Sequence, residues 1–272
     1  MESNLLKEDV KDILYTALAK TDGDLLLVNP SETVIENLVE VASSFDGTLP
    51  TIRMLADQGL LKDAMDDFLL GSRAADLIDA EQLYIRELDE SVSNSLIISD
   101  NTVSALVPAN NRVGALSTTD PEFVKSAQET YDADWDASET YNLRTPPISR
   151  VRSTLADEIG EDVRDVFDAI LAELQSARGD GDGLDEVTVS LLAAAKGEAL
   201  LYDISKWGED VGIASKATFS RTKTRLEDSG LIETEKVPID VGRPRLRLKL
   251  GDDRLRAAAS DELATIAQDI SG

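Results

Sequence analysis

The sequence predicts an α/β N-terminal domain with a mixed sheet, then a helical connector, then a C-terminal winged helix-turn-helix. Three observations predict it. Residues 25–85 alternate short apolar runs with helical patterns in the order β-α-β-α-β. Residues 95–116 read as three short strands joined by turns. Residues 186–250 read as three helices followed by a hairpin. The expected boundaries are 1–145 for the α/β domain, 146–185 for the connector and linker, 186–252 for the winged element and 253–272 for a last helix.

Within the first domain, Leu6, Val10, Ile13, Leu14 and Leu18 recur at helical spacing, so residues 5–20 are expected to be a helix. Leu25-Leu26-Leu27-Val28 is a continuous apolar run, the pattern of a strand buried on both faces. Asn29-Pro30 stops it, and Ser31 can cap the helix carrying Val34, Ile35, Leu38, Val39 and Ala42. Thr51–Leu55 is a second strand, residues 57–79 are helical in pattern, and Leu83-Tyr84-Ile85 is a third strand. Ser95–Ser99, Thr102–Val107 and Arg112–Leu116 form an antiparallel meander, with turns at Asp100-Asn101 and Ala109–Asn111. Asp120 caps a helix that Pro121 opens and that runs to about Trp135.

Residues 149–177 are amphipathic. Val151, Leu155, Ile159, Val163, Val166, Phe167, Ile170 and Leu174 make the stripe, and Gly160 breaks it. The stripe serves either a core or a dimer contact. Residues 178–185 form a linker. Its Asp180, Asp182 and Asp185 do not make a calcium loop, because Asp185 stands where the loop glycine belongs and Leu191 where its glutamate belongs.

In the C-terminal part, one helix runs through Val187, Val189, Leu191, Leu192 and Ala195, and a second covers Leu201–Asp210. The turn Val211-Gly212-Ile213-Ala214 leads to a third helix from Ser215 to Ser229. Strands follow at Gly230-Leu231-Ile232 and Arg245–Leu250, across the Pro238–Pro244 loop. At 100° per residue, Phe219, Thr222, Lys223 and Leu226 share one face of the third helix. Ala217, Ser220, Arg221, Thr224 and Arg225 share the other, with Thr218 at its edge. In the second strand Leu246, Leu248 and Leu250 alternate with Arg245, Arg247 and Lys249. Arg247 and Lys249 are expected to pair with Glu233 and Glu235, whereas Arg243 and Arg245 lie nearer the tip without obvious partners.

Charge sharpens this picture. The chain carries 53 acidic and 27 basic residues, a formal net charge of −26. Residues 215–249 nevertheless hold nine basic and five acidic residues, a segment of +4, which leaves −30 for the remainder. A positive island in so acidic a chain points to a polyanion. The global acidity itself suits concentrated salt, where the screening length falls to roughly 3 Å at about 1 M, and suggests a salt-loving prokaryote, an archaeon.

Composition also excludes chemistry. Without Cys there are no disulfides or thiolate sites, and without His the Ser-His-Asp, Cys-His and His-metal routes are absent. No catalytic residue, metal site or cofactor is expected. No phosphate-binding GxxxxGK[ST] occurs, and Gly179, Gly181 and Gly183 follow a helix rather than a strand. No apolar run approaches the length of a membrane span, and the start has no basic leader, so a cytoplasmic location is expected.

The run Ala217-Thr218-Phe219-Ser220-Arg221 with Arg225-Leu226-Glu227-Asp228-Ser229-Gly230-Leu231-Ile232 resembles the T-Φ-S-R … R-L-E-x-x-G-L-I segment of prokaryotic winged-helix regulators. Gly242-Arg243-Pro244-Arg245 resembles their wing tips, while Lys223 departs from the usual apolar residue. The N-terminal element order, with Phe123, Tyr131 and Trp135 on its last helix, faintly resembles phospholipase-D-like sensor domains such as those of archaeal TrmB-type regulators. Lacking the His of that catalytic motif, it would be an effector-binding or subunit-pairing domain. Over nearly its full length the chain resembles the haloarchaeal TbsP family of transcriptional regulators. That resemblance implies glucose-responsive control of central carbon metabolism and supplies no effector residues.

The expectation is therefore a sequence-specific regulator that binds double-stranded promoter DNA as a homodimer, with a small-molecule effector as a further partner. Its DNA-contacting residues are expected to be Lys216, Thr218, Ser220, Arg221, Thr224, Arg225, Arg243 and Arg245. A winged helix that holds a protein instead of DNA is the alternative.

Overall fold

The computed structural model describes residues 5–7, 10–88, 94–109, 112–174, 184–239 and 244–271. The sequence-predicted turn residues Asn110 and Asn111, the linker residues 178–183 and the wing-tip residues Gly242 and Arg243 lie outside them. The chain divides into two compact units: Met1–Asp66 with Arg73–Leu143, and Asp67–Ser72 with Arg144–Gly272.

The elements of the first part run β1 (Leu5–Lys7), α1 (Val10–Lys20), β2 (Asp24–Val28), α2 (Glu32–Ser43), β3 (Thr51–Ala56) and α3 (Gln58–Met65). They continue with α4 (Phe68–Asp79), β4 (Leu83–Glu87), β5 (Ser95–Ile98), β6 (Val103–Ala109), β7 (Arg112–Thr118) and α5 (Pro121–Ala137). Among the described residues the seven strands form one mixed sheet in the order β1-β7-β6-β5-β2-β3-β4. β2, β3 and β4 are parallel, and the remaining pairs are antiparallel.

β2 carries the apolar run because both its faces are covered: Leu25, Leu26, Leu27 and Val28 are at most 2% exposed. Leu26 and Val28 pack with Leu55, Ile98, Val103, Val124 and Trp135, the last two from α5. The caps follow the sequence: Ser31 accepts from Val34 N at the start of α2, and Asp120 from Phe123 N at the start of α5.

One expectation here is corrected. Leu6 is not on the first helix; Leu5–Lys7 pairs antiparallel with β7, whose outer edge takes up the backbone groups of these residues. Residues 57–79 are helical as expected, in two helices, because Asp57 caps α3 and Asp67 caps α4 by accepting from Leu60 N and Leu70 N.

The second unit contains α6 (Ile148–Glu158), α7 (Glu161–Glu173), α8 (Glu186–Lys196), α9 (Leu201–Val211) and α10 (Lys216–Asp228). The hairpin β8 (Ile232–Val237) and β9 (Arg245–Leu250) follows, then α11 (Asp253–Ala257), a 3-10 turn at Ser260–Glu262 and α12 (Leu263–Ser271). The expected single last helix is thus two helices, and Leu255, Leu263, Ala264 and Ala267 place them in the unit's core.

Gly160, with φ +147°, separates α6 from α7. All eight residues of the 149–177 stripe lie in or against that same core, together with α8, so the stripe serves packing within the chain. Asp185 is not part of a free linker: it is the N-cap of α8, accepting from Thr188 N at 2.6 Å.

The wing is also larger than expected. Leu248 N donates to Ala199 O at 2.9 Å and Leu200 bridges Arg247, so the segment between α8 and α9 lies along the free edge of β9. Two residues are too few to leave a strand period in a sequence.

Candidate nucleic-acid interface

The turn between α9 and α10 is set by Gly212, whose φ of +96° closes α9 in the left-handed region. Ile213 N and Ala214 N both return to Gly208 O, at 2.8 and 3.3 Å. Ser215 then caps α10 by accepting from Thr218 N at 3.2 Å. Phe219, Thr222 and Leu226 face the core and are buried, with Phe219 fully so. Behind α9, Trp207 is buried and donates from Nε1 to Thr154 Oγ1 at 2.9 Å, tying it to α6.

The opposite face of α10 is open. Lys216, Ala217, Ser220, Arg221, Thr224 and Arg225 are exposed, and Thr218 is half-buried. Arg221 Nη2 donates to Thr218 Oγ1 at 3.3 Å, and no ion pair holds it among the described residues. Arg225 Nη2 donates to Thr188 Oγ1 of α8 at 3.0 Å and stands 3.7 Å from Asp185 Oδ2, yet its side chain stays 61% exposed. Thr224 Oγ1 donates back to Ser220 O, as hydroxyls on exposed helix faces do.

Lys216 Nζ lies 2.6 Å from Glu209 Oε2, each side chain 44% exposed. That hydrogen bond raises the Lys216 pKa and lowers that of Glu209. Lys223, the residue that departs from the winged-helix pattern, keeps its stem on the core. Its ammonium reaches Glu227 at 2.7 Å, and Glu227 also accepts from Thr234 of β8 at 2.7 Å.

In the wing the register opposes Glu233 to Lys249 and Glu235 to Arg247. The observed ion pair is the diagonal one, Lys249 with Glu235 at 2.8 Å, because Glu233 is taken by Arg256 at 2.9 Å. The expectation that Arg245 lacks a partner is corrected: its Nη1 lies 3.3 Å from Asp203 Oδ1, and its guanidinium lies 4.4 Å from the centre of the Tyr202 ring. Tyr202 and Asp203 open α9, 42 residues away, and nothing in local spacing announces the contact. Tyr202, itself 49% exposed, is the one aromatic side chain this face adds to the sequence-derived set among the described residues. Arg243 lies outside the described residues.

The family model for "Transcriptional regulator TbsP-like, N-terminal" matches residues 2–146, and that for the "C-terminal HTH domain" matches residues 147–268. This chain belongs to the TbsP-like transcriptional regulators. Its helix-turn-helix is α9, the Gly212 turn and α10, within the matched C-terminal region.

Solved structures resemble the TbsP-like chain at low identity. The chain of TrmBL2, an archaeal chromatin protein whose structure "shows a novel mode of DNA binding", is 16% identical with a TM-score of 0.37. The match covers 52% of this chain and 54% of that one, so the TbsP-like chain spans about half the TrmBL2 length. Nuc, a phospholipase D family member from Salmonella typhimurium, is 13% identical with a TM-score of 0.35 over 52% of this chain and 99% of that one. NucT from Helicobacter pylori is 14% identical with a TM-score of 0.37 over 51% and 99%. No curated protein matches the chain. Among the described residues of the TbsP-like chain no acidic cluster could hold a metal ion, and no helix is long and apolar enough to cross a membrane.

Proposed function

We propose that this TbsP-like regulator binds a promoter sequence in double-stranded DNA as a homodimer, with α10 in the major groove and the wing on the backbone. The observation that carries the reading is the open face of α10. Ser220, Arg221, Thr224 and Arg225 stand out from a helix whose other face is locked into the core by Phe219, Thr222 and Leu226. Small hydroxyl residues let the helix approach closely, and Arg221, held among the described residues by a hydroxyl and no carboxylate, can turn its fork to a guanine edge. Lys216, Thr218 and Arg245 flank this face, and Arg243 adds a wing-tip cation for phosphate or the minor groove.

The carboxylates beside Lys216 and Arg245 do not oppose this reading. Pairs exposed to this degree are worth little, so a phosphate can replace Glu209 or Asp203 as the partner. The two-fold symmetry of palindromic operators supports a dimer. The net charge of −26 supports a salt-rich archaeal cytoplasm, and the family resemblance supports central carbon metabolism genes as targets.

The test is chromatin immunoprecipitation of the full chain with and without glucose, followed by fluorescence anisotropy on recovered promoters in molar KCl. Recovered promoters whose binding weakens in Arg221→Ala and Arg225→Ala support the reading. A pulled-down protein with no enriched promoter would make the winged helix a protein-assembly module instead.

A further inference from the structure

The first unit holds a cleft on one face of its sheet. Register fixes which side chains share that face: Asp24 pairs Thr51, Leu26 pairs Arg53, Arg53 pairs Tyr84 and Leu55 pairs Arg86. Side chains alternate along a strand, so Arg53 and Arg86 stand on the face that α5 covers with Trp135. Both guanidinium groups lie over the Trp135 indole, at 5.4 and 4.8 Å from its ring centre.

The two arginines are not equivalent. Arg53 is compensated twice, by Asp132 at 2.9 Å and Asp24 at 3.6 Å. Arg86 has neutral partners: Nη1 donates to the carbonyls of Trp135 and Ser138 at the end of α5. No carboxylate lies within ion-pair distance of Arg86 among the described residues. Capping a helix end uses one of its nitrogens, and a guanidinium carries five N–H donors. In a chain with twice as many acidic as basic residues, a half-buried arginine without an acid is conspicuous.

Space is available beside it. A lobe of about 480 Å³ is bounded by Arg86, Trp135, Tyr84, Thr140 and Tyr141 and by the β4 chain at Leu83 and Ile85, with Arg53 and Asp24 at its other side. That volume falls in the range of small-ligand sites, about 300–1,000 Å³. Residues Glu139–Tyr141 are held there by running beside β4, with Tyr141 N donating to Ile85 O at 3.0 Å. Burial first, then the nearby Glu87 and Asp66 charges, raise the Tyr141 pKa, so its hydroxyl stays a donor at neutral pH. The adjoining lobe shares Asp24 and Arg53 with this one and is the more acidic, because Asp100 and Asp132 also line it.

The geometry points to a binding site for a small organic anion, a carboxylate or a phosphate monoester, whose charged end pairs with Arg86 and whose body lies along Tyr84 and Tyr141. The acidic lobe beyond Arg53 repels the charged end and fixes which way the ligand lies. The site is built from residues of the first unit and the DNA-contacting face from residues of the second, and its test uses no DNA, so neither reading stands or falls with the other.

The chain has two tryptophans, Trp135 and Trp207, so its indole N–H signals report the cleft and the second unit's core separately. The ¹⁵N-labelled full chain is titrated at constant ionic strength with lactate, with glycerol 3-phosphate, and with glycerol as the uncharged control. The expected result is a saturable shift of the Trp135 signal with at least one charged probe, none with glycerol, and a fixed Trp207 signal. Whichever charged probe saturates first assigns carboxylate or phosphate. Arg86→Gln is expected to weaken binding at least tenfold. Because Arg86 also caps α5, Tyr141→Phe provides a second variant that keeps the ring and is expected to weaken binding several-fold. A Trp135 signal indifferent to both charged probes, or equally moved by glycerol, overturns the assignment. So does unchanged affinity in a folded Arg86→Gln or in Tyr141→Phe.

Discussion

A Cβ built on Gly208 would stand 2.3 Å from Cε2 and Cζ of Phe219, so the α10 ring occupies the space any other residue in α9 would need. This is how two helices of a helix-turn-helix come close enough to fix the presentation of the second. An alanine in place of glycine inside a helix ordinarily gains about 1 kcal/mol. Here the sign is expected to reverse. Gly208→Ala must push a fully buried ring out of place, and overpacking of this kind costs about 1–3 kcal/mol. Urea denaturation of the full chain measures it. A variant at least as stable as the parent would show that the Phe219 ring has room to move.

Two cations of the proposed interface are held by the chain's own acids, Lys216 by Glu209 and Arg245 by Asp203. When phosphate replaces such a partner, the released carboxylate must be neutralised by a solvent cation, which offsets the counterion released from DNA. DNA affinity is therefore expected to fall less steeply with salt than the number of cations suggests. Glu209→Gln and Asp203→Asn remove the offset. Each is expected to tighten binding at low salt and to steepen the log–log salt slope by roughly one. Anisotropy titrations across a KCl series measure this, and slopes parallel to the parent's would refute it.

Periodicity made much of this legible. The 100° wheel of α10 separates Phe219, Thr222 and Leu226 from Ser220, Arg221, Thr224 and Arg225, and the structure buries the first set and exposes the second. The apolar run of β2 and the caps Ser31 and Asp120 were equally readable, because each is a local signal. What escaped depends on distant partners. Asp203 and Tyr202 meet Arg245 only once the wing folds back along α9. The Ala199–Leu200 strand has too few residues to show alternation. Gly208 reads as a weak helix position until Phe219 is seen against it. Arg86 and Trp135 lie 49 residues apart, and only the β3–β4 register and the end of α5 bring them together.

Arg221 and Arg225 are one helical turn apart but differently held. Arg221 has only a hydroxyl on its own helix, whereas Arg225 is tethered to Thr188 of α8. Arg221→Ala is expected to cost about 1–3 kcal/mol on the preferred sequence and to relax preference at one base position. Arg225→Ala and Arg243→Ala are expected to weaken binding to all sequences by similar factors, as phosphate contacts do. Competition between the recovered promoter and its single-base variants measures both effects. Equal losses on every sequence for Arg221→Ala would move it to the backbone class.

Glu227 couples α10 to the wing by accepting from Lys223 and Thr234. Burial alone would raise its pKa, but those two hydrogen bonds and the Lys223 charge outweigh burial and lower it. Protonation is thus harder in the folded chain than in the unfolded one. The stabilisation is complete above the unfolded value, about 4.3 for Glu, and is lost as pH falls through the lower folded value. Glu227→Gln is expected to destabilise the chain at neutral pH. That cost should shrink in acid, where the parent has lost the same charge. With 53 acidic residues titrating together, only the difference between parent and variant isolates this one. Urea denaturation of both chains at pH 7 and below about pH 4 measures it, and an equal difference at the two pH values would mean that Glu227 stabilises through its shape and not through its charge.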